Sequence, residues 1–358
     1  MAEQLKLMYN KTLINTLAQE IKKTYIDFNI VQFEEDIFCH TWENKELKDR
    51  MHHIAVILNK FLPNNYVKSL NILKQVAPKF DGFEYMFFQD YVELFGLDFY
   101  EESINALELF TQYASSEFAI RAFIIKYEDK TMEQMLKWAN SNNHHLRRLA
   151  SEGCRPRLPW AVALANFKND PSKVLEILEI LKDDESLYVR KSVANNLNDI
   201  SKDNAQVAIK VFNRWKNRNK NCDWIIKHGA RTLLKAGNIE VLNIFGFGDV
   251  SHIKLNDFTL CNEVEIGSLL PFSFNLSTHN KAIGNTRIEY AIHFLKSNNK
   301  LSKKVFMISS SNIEKNCKKI AKNHSFKKIS TRRYYKGVHA LSIIINGIEV
   351  EYKEFILN

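Results

Sequence analysis

The chain has 358 residues, 45% hydrophobic and 25% charged, with a formal net charge of +9, the balance of a folded protein with room for two domains. No apolar run is long enough to span a bilayer, and Met1–Asn10 lacks the apolar core of a secretory signal. Cys39, Cys154, Cys222, Cys261 and Cys317 are scattered without a Cys-x-x-Cys, which argues against a disulfide framework or structural zinc and fits a reducing cytoplasm.

Positions 1–120 are acidic, with 11 basic and 18 acidic residues, and read as helices. Apolar residues recur at helical spacing in Leu13-Leu17-Ile21 and Ile54-Leu58-Leu62, while Pro63 and Pro78 fall where helices should end or begin. From Arg121 to Lys235 the balance reverses to 22 basic and 13 acidic residues. The helical pattern continues there through Val174-Ile177-Leu178-Leu181, just after Pro171. HHLRRLASEG (His144–Gly153), LYVRKSVANNL (Leu187–Leu197) and WIIKHGARTLL (Trp224–Leu234) share an apolar-then-basic start followed by small and apolar residues. Their spacing of about 40 residues is the period of HEAT-type helical hairpins, and EFAIRAFI (Glu117–Ile124) is a degenerate earlier copy. Arg147, Arg190 and Lys227 fall in register along one side. They either face an extended partner or solvate an outer ridge.

At Gly246-Phe247-Gly248 the texture changes. Residues 1–248 are expected to form an all-α HEAT-like repeat domain, and 249–358 a small antiparallel β-sandwich. Alternating stretches run through Arg287–Phe294 and Lys304–Ile308, and Ser342–Ile345 and Ile348–Tyr352 flank the hairpin dipeptide Asn346-Gly347. Between strands lie the basic run Lys315–Lys328 and then Arg332-Arg333-Tyr334-Tyr335-Lys336. Basic residues interleaved with Tyr could track a phosphate backbone or guard a sheet edge. Residues 251–358 carry 17 basic and 8 acidic residues, so positive charge gathers in the middle and tail. This layout suits nucleic acid, although a solvated basic surface accounts for the charge equally well.

The most unusual segment is Leu149–Trp160, LASEGCRPRLPW. A helix entering from Asn143 should stop at Gly153, acting as a left-handed C-cap. Glu152 then sits at the helix C-terminus, where the macrodipole disfavours negative charge, a broken rule that points to function. Arg155 and Arg157 follow on a Pro-stiffened turn ending in Trp160. The plainer alternative is that Glu152 pairs with one of these arginines and Trp160 is core.

The run LRRLASEGCRPRLPW resembles the signature of the AlkC-type alkylpurine DNA glycosylases, relatives of the AlkD type built on HEAT-like repeats. SEFAIRAFI (Ser116–Ile124) and YVRKSVANNLNDISKDN (Tyr188–Asn204) extend the match. SFKKISTRRYYKGVHALSIIINGIE resembles the immunoglobulin-like domain appended to many such proteins. The resemblance implies a monofunctional glycosylase that hydrolyses the N-glycosidic bond of cationic alkylated bases in duplex DNA during base excision repair. N3-methyladenine comes first, then N3-methylcytosine and N7-methylguanine. It implies that Glu152 (SEG), Glu117 (SEF) and Asp199 (LNDI) are the site's carboxylates and Trp160 (LPW) the aromatic against the lesion. By their own surroundings, Glu117 after Ser115-Ser116 reads as helix capping, and Asp199 opposes its helix dipole or belongs to a solvated turn. Arg155, Arg157, Arg190, Lys227, Arg231, Arg332 and Arg333 are the candidate DNA-phosphate contacts. No metal or cofactor is called for, and the expected protein is a monomer acting on alkylated double-stranded DNA in the cytoplasm, at the nucleoid. Helical repeats also serve as non-catalytic nucleic-acid or protein scaffolds. A lyase acting through a lysine Schiff base has no positioned lysine to recommend it.

Overall fold

A computed structural model describes residues 5–329 and 332–358; Ser330 and Thr331 of the tail motif lie outside the described residues. The chain divides into two compact units, residues up to Ala208 with Asn217–Gly229, and Ile209–Lys216 with Ala230–Asn358. No described helix is long and apolar enough to cross a membrane.

The first unit is helical: α1 Lys11–Thr24, α2 Ile30–Ile37, α3 Leu47–Phe61, α4 Tyr66–Val76, α5 Phe87–Phe95, α6 Tyr100–Phe110, α7 Ile120–Lys126, α8 Glu128–Ala139, α9 His144–Gly153, α10 Ala165–Asn169, α11 Ser172–Ile180, α12 Leu187–Asp203 and α14 Lys220–Gly229, with α13 (Ala205–Trp215) divided between the units. The apolar stripes read from the sequence face inward, as Ile14, Leu17 and Ile21 of α1 and Ile54 and Leu58 of α3 are buried. Asparagine side chains start several helices by accepting from orphan backbone N–H groups: Asn10 from Leu13 at 3.0 Å, Asn65 from Lys68 at 3.0 Å and Asn143 from His145 at 2.9 Å.

The repeat helices α9, α12 and α14 pack in series, with α8 and α11 against α9. The repeated arginines have a local cause. Arg147 Nη1 donates to the Ser141 and Asn142 carbonyls at 3.0 and 2.9 Å, and Arg190 Nη1 to Asp184 and Glu185 at 2.7 and 2.8 Å. Each ties the turn preceding its own helix to that helix, at the same spacing in both copies. Lys227, at the third position, is exposed.

Glu93, on α5, is half-buried. Burial, and then the neighbouring Asp90 carboxylate, push its carboxyl up to about 7, against the pull of Lys48 and Arg121.

The second unit contains α15 Arg231–Lys235 and α16 Ile239–Ile244, then β1 Lys254–Leu260, β2 Glu263–Val264, β3 Leu269–Ser277, β4 Gly284–Leu295, β5 Leu301–Ile313, β6 Cys317–Ser325, β7 Gly337–Ile345 and β8 Ile348–Leu357. A three-stranded sheet in the order β1-β3-β6 and a five-stranded sheet in the order β2-β8-β7-β4-β5 form an immunoglobulin-like sandwich. Alternation along β3 turns Leu270, Phe272, Phe274 and Leu276 inward to meet Ile288, Ile292, Leu341 and Ile343. The Lys315–Lys328 run, read from sequence as lying between strands, contains β6. Its Ile320 and His324 point inward while Lys319 and Lys322 stay exposed on an edge strand, where lysine discourages further sheet growth.

Asn346 and Gly347 form the tight β7–β8 turn, both with positive φ (46° and 81°), and Ile345 pairs with Ile348 across it. Asn346 also exchanges hydrogen bonds with the Arg287 backbone and donates to the Gly248 carbonyl at 2.9 Å. Asn285 Nδ2 holds the Phe245 and Gly246 carbonyls, both at 3.0 Å. The stretch after α16 is thus pinned to the sheet by two asparagines.

Two stability predictions follow from this packing. A Cβ on Gly347 would lie 2.7 Å from Gly237 Cα, on a left-handed backbone. Gly347→Ala should therefore destabilise the second unit by about 1–2 kcal/mol or more in denaturant unfolding, and an unchanged midpoint would contradict the close approach. For Glu93, folding raises the carboxyl from its ordinary 4.5 to about 7. The folded state then holds more protons between those values, so this group's contribution falls as pH rises through that window. Glu93→Gln should gain stability over the native protein across the window, up to about 3 kcal/mol, and level off above it. A stability difference independent of pH between 5 and 8 would refute the assignment.

Candidate active site

Helix α9 ends at Gly153, but not through a left-handed cap. Gly153 does not have positive φ; the following residue, Cys154, sits at φ −88°. The reason for glycine is space, because a Cβ there would lie 2.6 Å from Ile120 Cγ2 and 3.0 Å from Met135 Cε. The α9 terminus therefore presses directly on α7 and α8.

Beyond Gly153 the chain wraps a buried guanidinium. Arg121, on α7 and 1% exposed, donates from Nη1 to the Gly153 and Arg155 carbonyls at 2.9 and 2.8 Å, and from Nε to Val162 at 2.9 Å. Burial pulls its pKa down to about 10, so it still carries its charge at neutral pH. Within EFAIRAFI the sequence marked Arg121 only as part of a repeat copy, yet this residue sets the loop. A basic residue inside an otherwise apolar helical stretch was the available signal.

Polar contacts seal α9 to α12. Asn196 Nδ2 donates to the Ser151 carbonyl at 2.8 Å, and Ser151 and Ser192 hydroxyls meet at 2.6 Å. Cys154 lies fully buried beside Asn196, and burial pushes its thiol up to about 12, which makes it inert.

On this frame three carboxylates alternate with basic side chains. Glu117 Oε2 accepts from Ser115 Oγ at 2.7 Å and from Arg148 Nη1 at 2.5 Å. Arg148 Nη2 stands 3.7 Å from Glu152 Oε1, which accepts from Arg155 Nη1 at 2.6 Å. Arg155 Nε reaches Asp199 Oδ2 at 2.8 Å, and Lys202 Nζ reaches Asp199 Oδ1 at 3.0 Å. Burial weighs against the charges of Arg148 and Arg155, but the neighbouring acids outweigh it and hold both guanidinium groups above their ordinary pKa. Arg148 also lies 4.6 Å from the Tyr188 ring centroid. No described residue donates to Glu117 Oε1 or Glu152 Oε2, whereas both Asp199 oxygens are engaged. An open cleft of about 350 Å³ is lined by Ser115, Glu117, His145, Arg148 and Tyr188.

These positions correct several sequence readings. Glu117 is not a helix cap, because α7 starts three residues later and its carboxylate faces Arg148. Asp199 is no solvated turn, being 1% exposed. Glu152 does pair with Arg155, but Trp160 is not core: it is 60% exposed with φ +63°.

The candidate phosphate contacts divide. Arg155 is 6% exposed with Nε and Nη1 committed to carboxylates, so its geometry is that of an internal clamp and not of a surface contact. Arg157 faces solvent in a two-pronged pair with Asp203 at 2.6 and 2.5 Å, and Arg190 holds its own turn while lying 5.9 Å from the Trp224 ring. Lys227 is exposed in the first unit. In the second, Arg231 is half-buried, Arg332 lies over Phe294 at 4.3 Å, and exposed Arg333 sits 5.4 Å from the Tyr335 ring.

The geometry can therefore present fixed negative charge at two free carboxylate oxygens. The chain is similar to known proteins along almost its whole length. Residues 96–233 match the DNA alkylation repair enzyme family, and residues 254–358 match the C-terminal immunoglobulin-like domain of the uncharacterised protein YhaZ. YhaZ of Bacillus subtilis (strain 168) is 47% identical over 346 residues, 96% of each chain. The solved structure of Pseudomonas fluorescens alkylpurine DNA glycosylase AlkC, bound to DNA containing an abasic site analog, superposes with a TM-score of 0.95 at 32% identity, covering 99% of each chain. The chain therefore belongs to the AlkC family of DNA alkylation repair glycosylases.

Proposed function

We propose that the protein hydrolyses the N-glycosidic bond of cationic alkylated bases in duplex DNA, N3-methyladenine foremost, with N3-methylcytosine and N7-methylguanine as weaker substrates. The observation that carries this reading is the convergence of Glu117, Glu152 and Asp199, from three separate stretches of chain, on one ladder of charges. A base methylated on a ring nitrogen is already a good leaving group, so little acid catalysis is needed. What the reaction lacks is stabilisation of the cationic sugar and an oriented water. Carboxylates supply both. Glu152 Oε2 and Glu117 Oε1 are the free acceptors for these tasks, and Asp199 acts on the same centre through Arg155. Trp160, exposed beside this segment, lies against the lesion. The product is a free base and an abasic site, matching the abasic analog on which the Pseudomonas fluorescens relative was solved.

In this reading residues 1–248 carry catalysis and 249–358 add DNA contacts, the protein acting as a monomer in the cytoplasm. Arg157, Arg190, Lys227, Arg231, Arg332 and Arg333 are the phosphate contacts. Arg155 leaves that group and clamps Glu152 and Asp199 in place instead.

The deciding experiment incubates the protein with methylated duplex DNA and measures released base by chromatography. Binding without release would favour a non-catalytic scaffold. Glu152→Gln should bind abasic DNA normally but release base at least about 10²-fold more slowly, and full activity would remove Glu152 from the mechanism. Replacing Lys227 or Arg333 with alanine should lower the slope of log affinity against log salt by about one contact. An unchanged slope returns that residue to solvation.

A further inference from the structure

Trp160 holds a backbone conformation that an aromatic residue seldom adopts, φ +63°. Such geometry persists only where the surroundings over-determine it. Three contacts do so. The Ala161 N–H donates to the Leu158 carbonyl at 3.3 Å and closes the turn. Arg121 holds the Val162 carbonyl two residues on. The third contact comes from far upstream: Lys48, on α3, donates from Nζ to the Trp160 carbonyl at 2.8 Å.

The same ammonium lies 4.6 Å from the ring centroid of Phe118, the residue next to Glu117. One side chain thus touches both the segment that presents Glu117 and the residue that presents the indole. Behind it, the Asp90 and Glu93 carboxyls on α5 attract its charge. Nothing in the motifs of the middle of the chain involves α3, and the first 120 residues are net acidic.

We propose that Lys48 is a positioning residue for Trp160: by bridging the Trp160 carbonyl and the Phe118 ring, it fixes the indole relative to Glu117. This inference rests on the reading of Trp160 as the aromatic against the lesion. Lys48 is itself exposed, and exposed polar contacts contribute little to global stability. Its effect falls on the conformation of one turn. Without the donor, the Trp160 backbone relaxes toward ordinary φ and the indole swings away. Displacements of that size slow chemistry while leaving the rest of the binding surface intact.

The test compares Lys48→Met, which keeps the aliphatic stem, with Lys48→Arg, which keeps charge and donor. Three quantities are measured on the full chain: single-turnover release of base from methylated duplex DNA, affinity for abasic duplex DNA, and the ¹⁹F resonance of Trp160 in 5-fluorotryptophan-labelled protein, assigned with Trp160→Phe. Lys48→Met should slow release about tenfold, shift or broaden the Trp160 resonance and leave affinity and melting temperature near the native values. Lys48→Arg should restore both rate and resonance. A native rate with an unmoved resonance overturns the proposal. A loss confined to affinity also overturns it, making Lys48 a plain phosphate contact. If Trp160→Ala itself releases base at the native rate, the role assigned to Trp160 fails, while the resonance of Lys48→Met still decides whether Lys48 fixes the indole.

Discussion

Everything in the site depends on one buried cation. Arg121 has left water almost completely, and its nearest hydrogen-bond partners are carbonyl oxygens, not carboxylates. Burying an ion costs several kcal/mol unless its donors are satisfied. Here the oxygens come from both ends of one loop, Gly153 and Arg155 on one side and Val162 on the other. The loop therefore closes around the guanidinium, and its path is determined by four hydrogen bonds from a planar fork. A lysine, with a compact head and no fork, could not hold both ends at once.

The path of that loop positions Arg155, and Arg155 makes the buried acids tolerable. Glu152 at the end of α9 and Asp199 in α12 both oppose a helix dipole, and both are nearly out of water. Left alone, either buried charge would be costly. Set between Arg148, Arg155 and Lys202, they form a row of alternating charge in which each acid has a basic neighbour. The row also carries an asymmetry: the two glutamates each keep one oxygen unclaimed and the aspartate keeps none. Hydrogen bonding thus leaves the acids of the row unequal, although all three are paired with basic side chains.

Much of the fold was legible because periodicity is a local property. The stripes of α1, α3 and α11, the proline-marked ends and the Asn346-Gly347 turn all arise from neighbours in sequence, and the structure agrees with each. The repeats at Arg147 and Arg190 were equally visible, but their purpose was not. Each arginine serves the turn just before its helix, a role hidden until the carbonyls of that turn are seen to converge on it. The β6 strand was missed because its lysines mask the inward alternation of Ile320 and His324.

By itself the sequence determined the two kinds of architecture, which rest on spacing and residue type, and the family motifs, whose resemblance named the candidate carboxylates. Tertiary structure alone decided what each charge faces. Arg155 and Arg157 are two residues apart, yet one is sealed between acids and the other lies in solvent. Lys48 reaches a carbonyl 112 positions away. Glycine at 153 answers to a methyl group on another helix and not to its own backbone. Burial and partnership are properties of the packed chain, because the free energy of a charge depends on the dipoles and ions around it, and these come from segments that local pattern cannot connect.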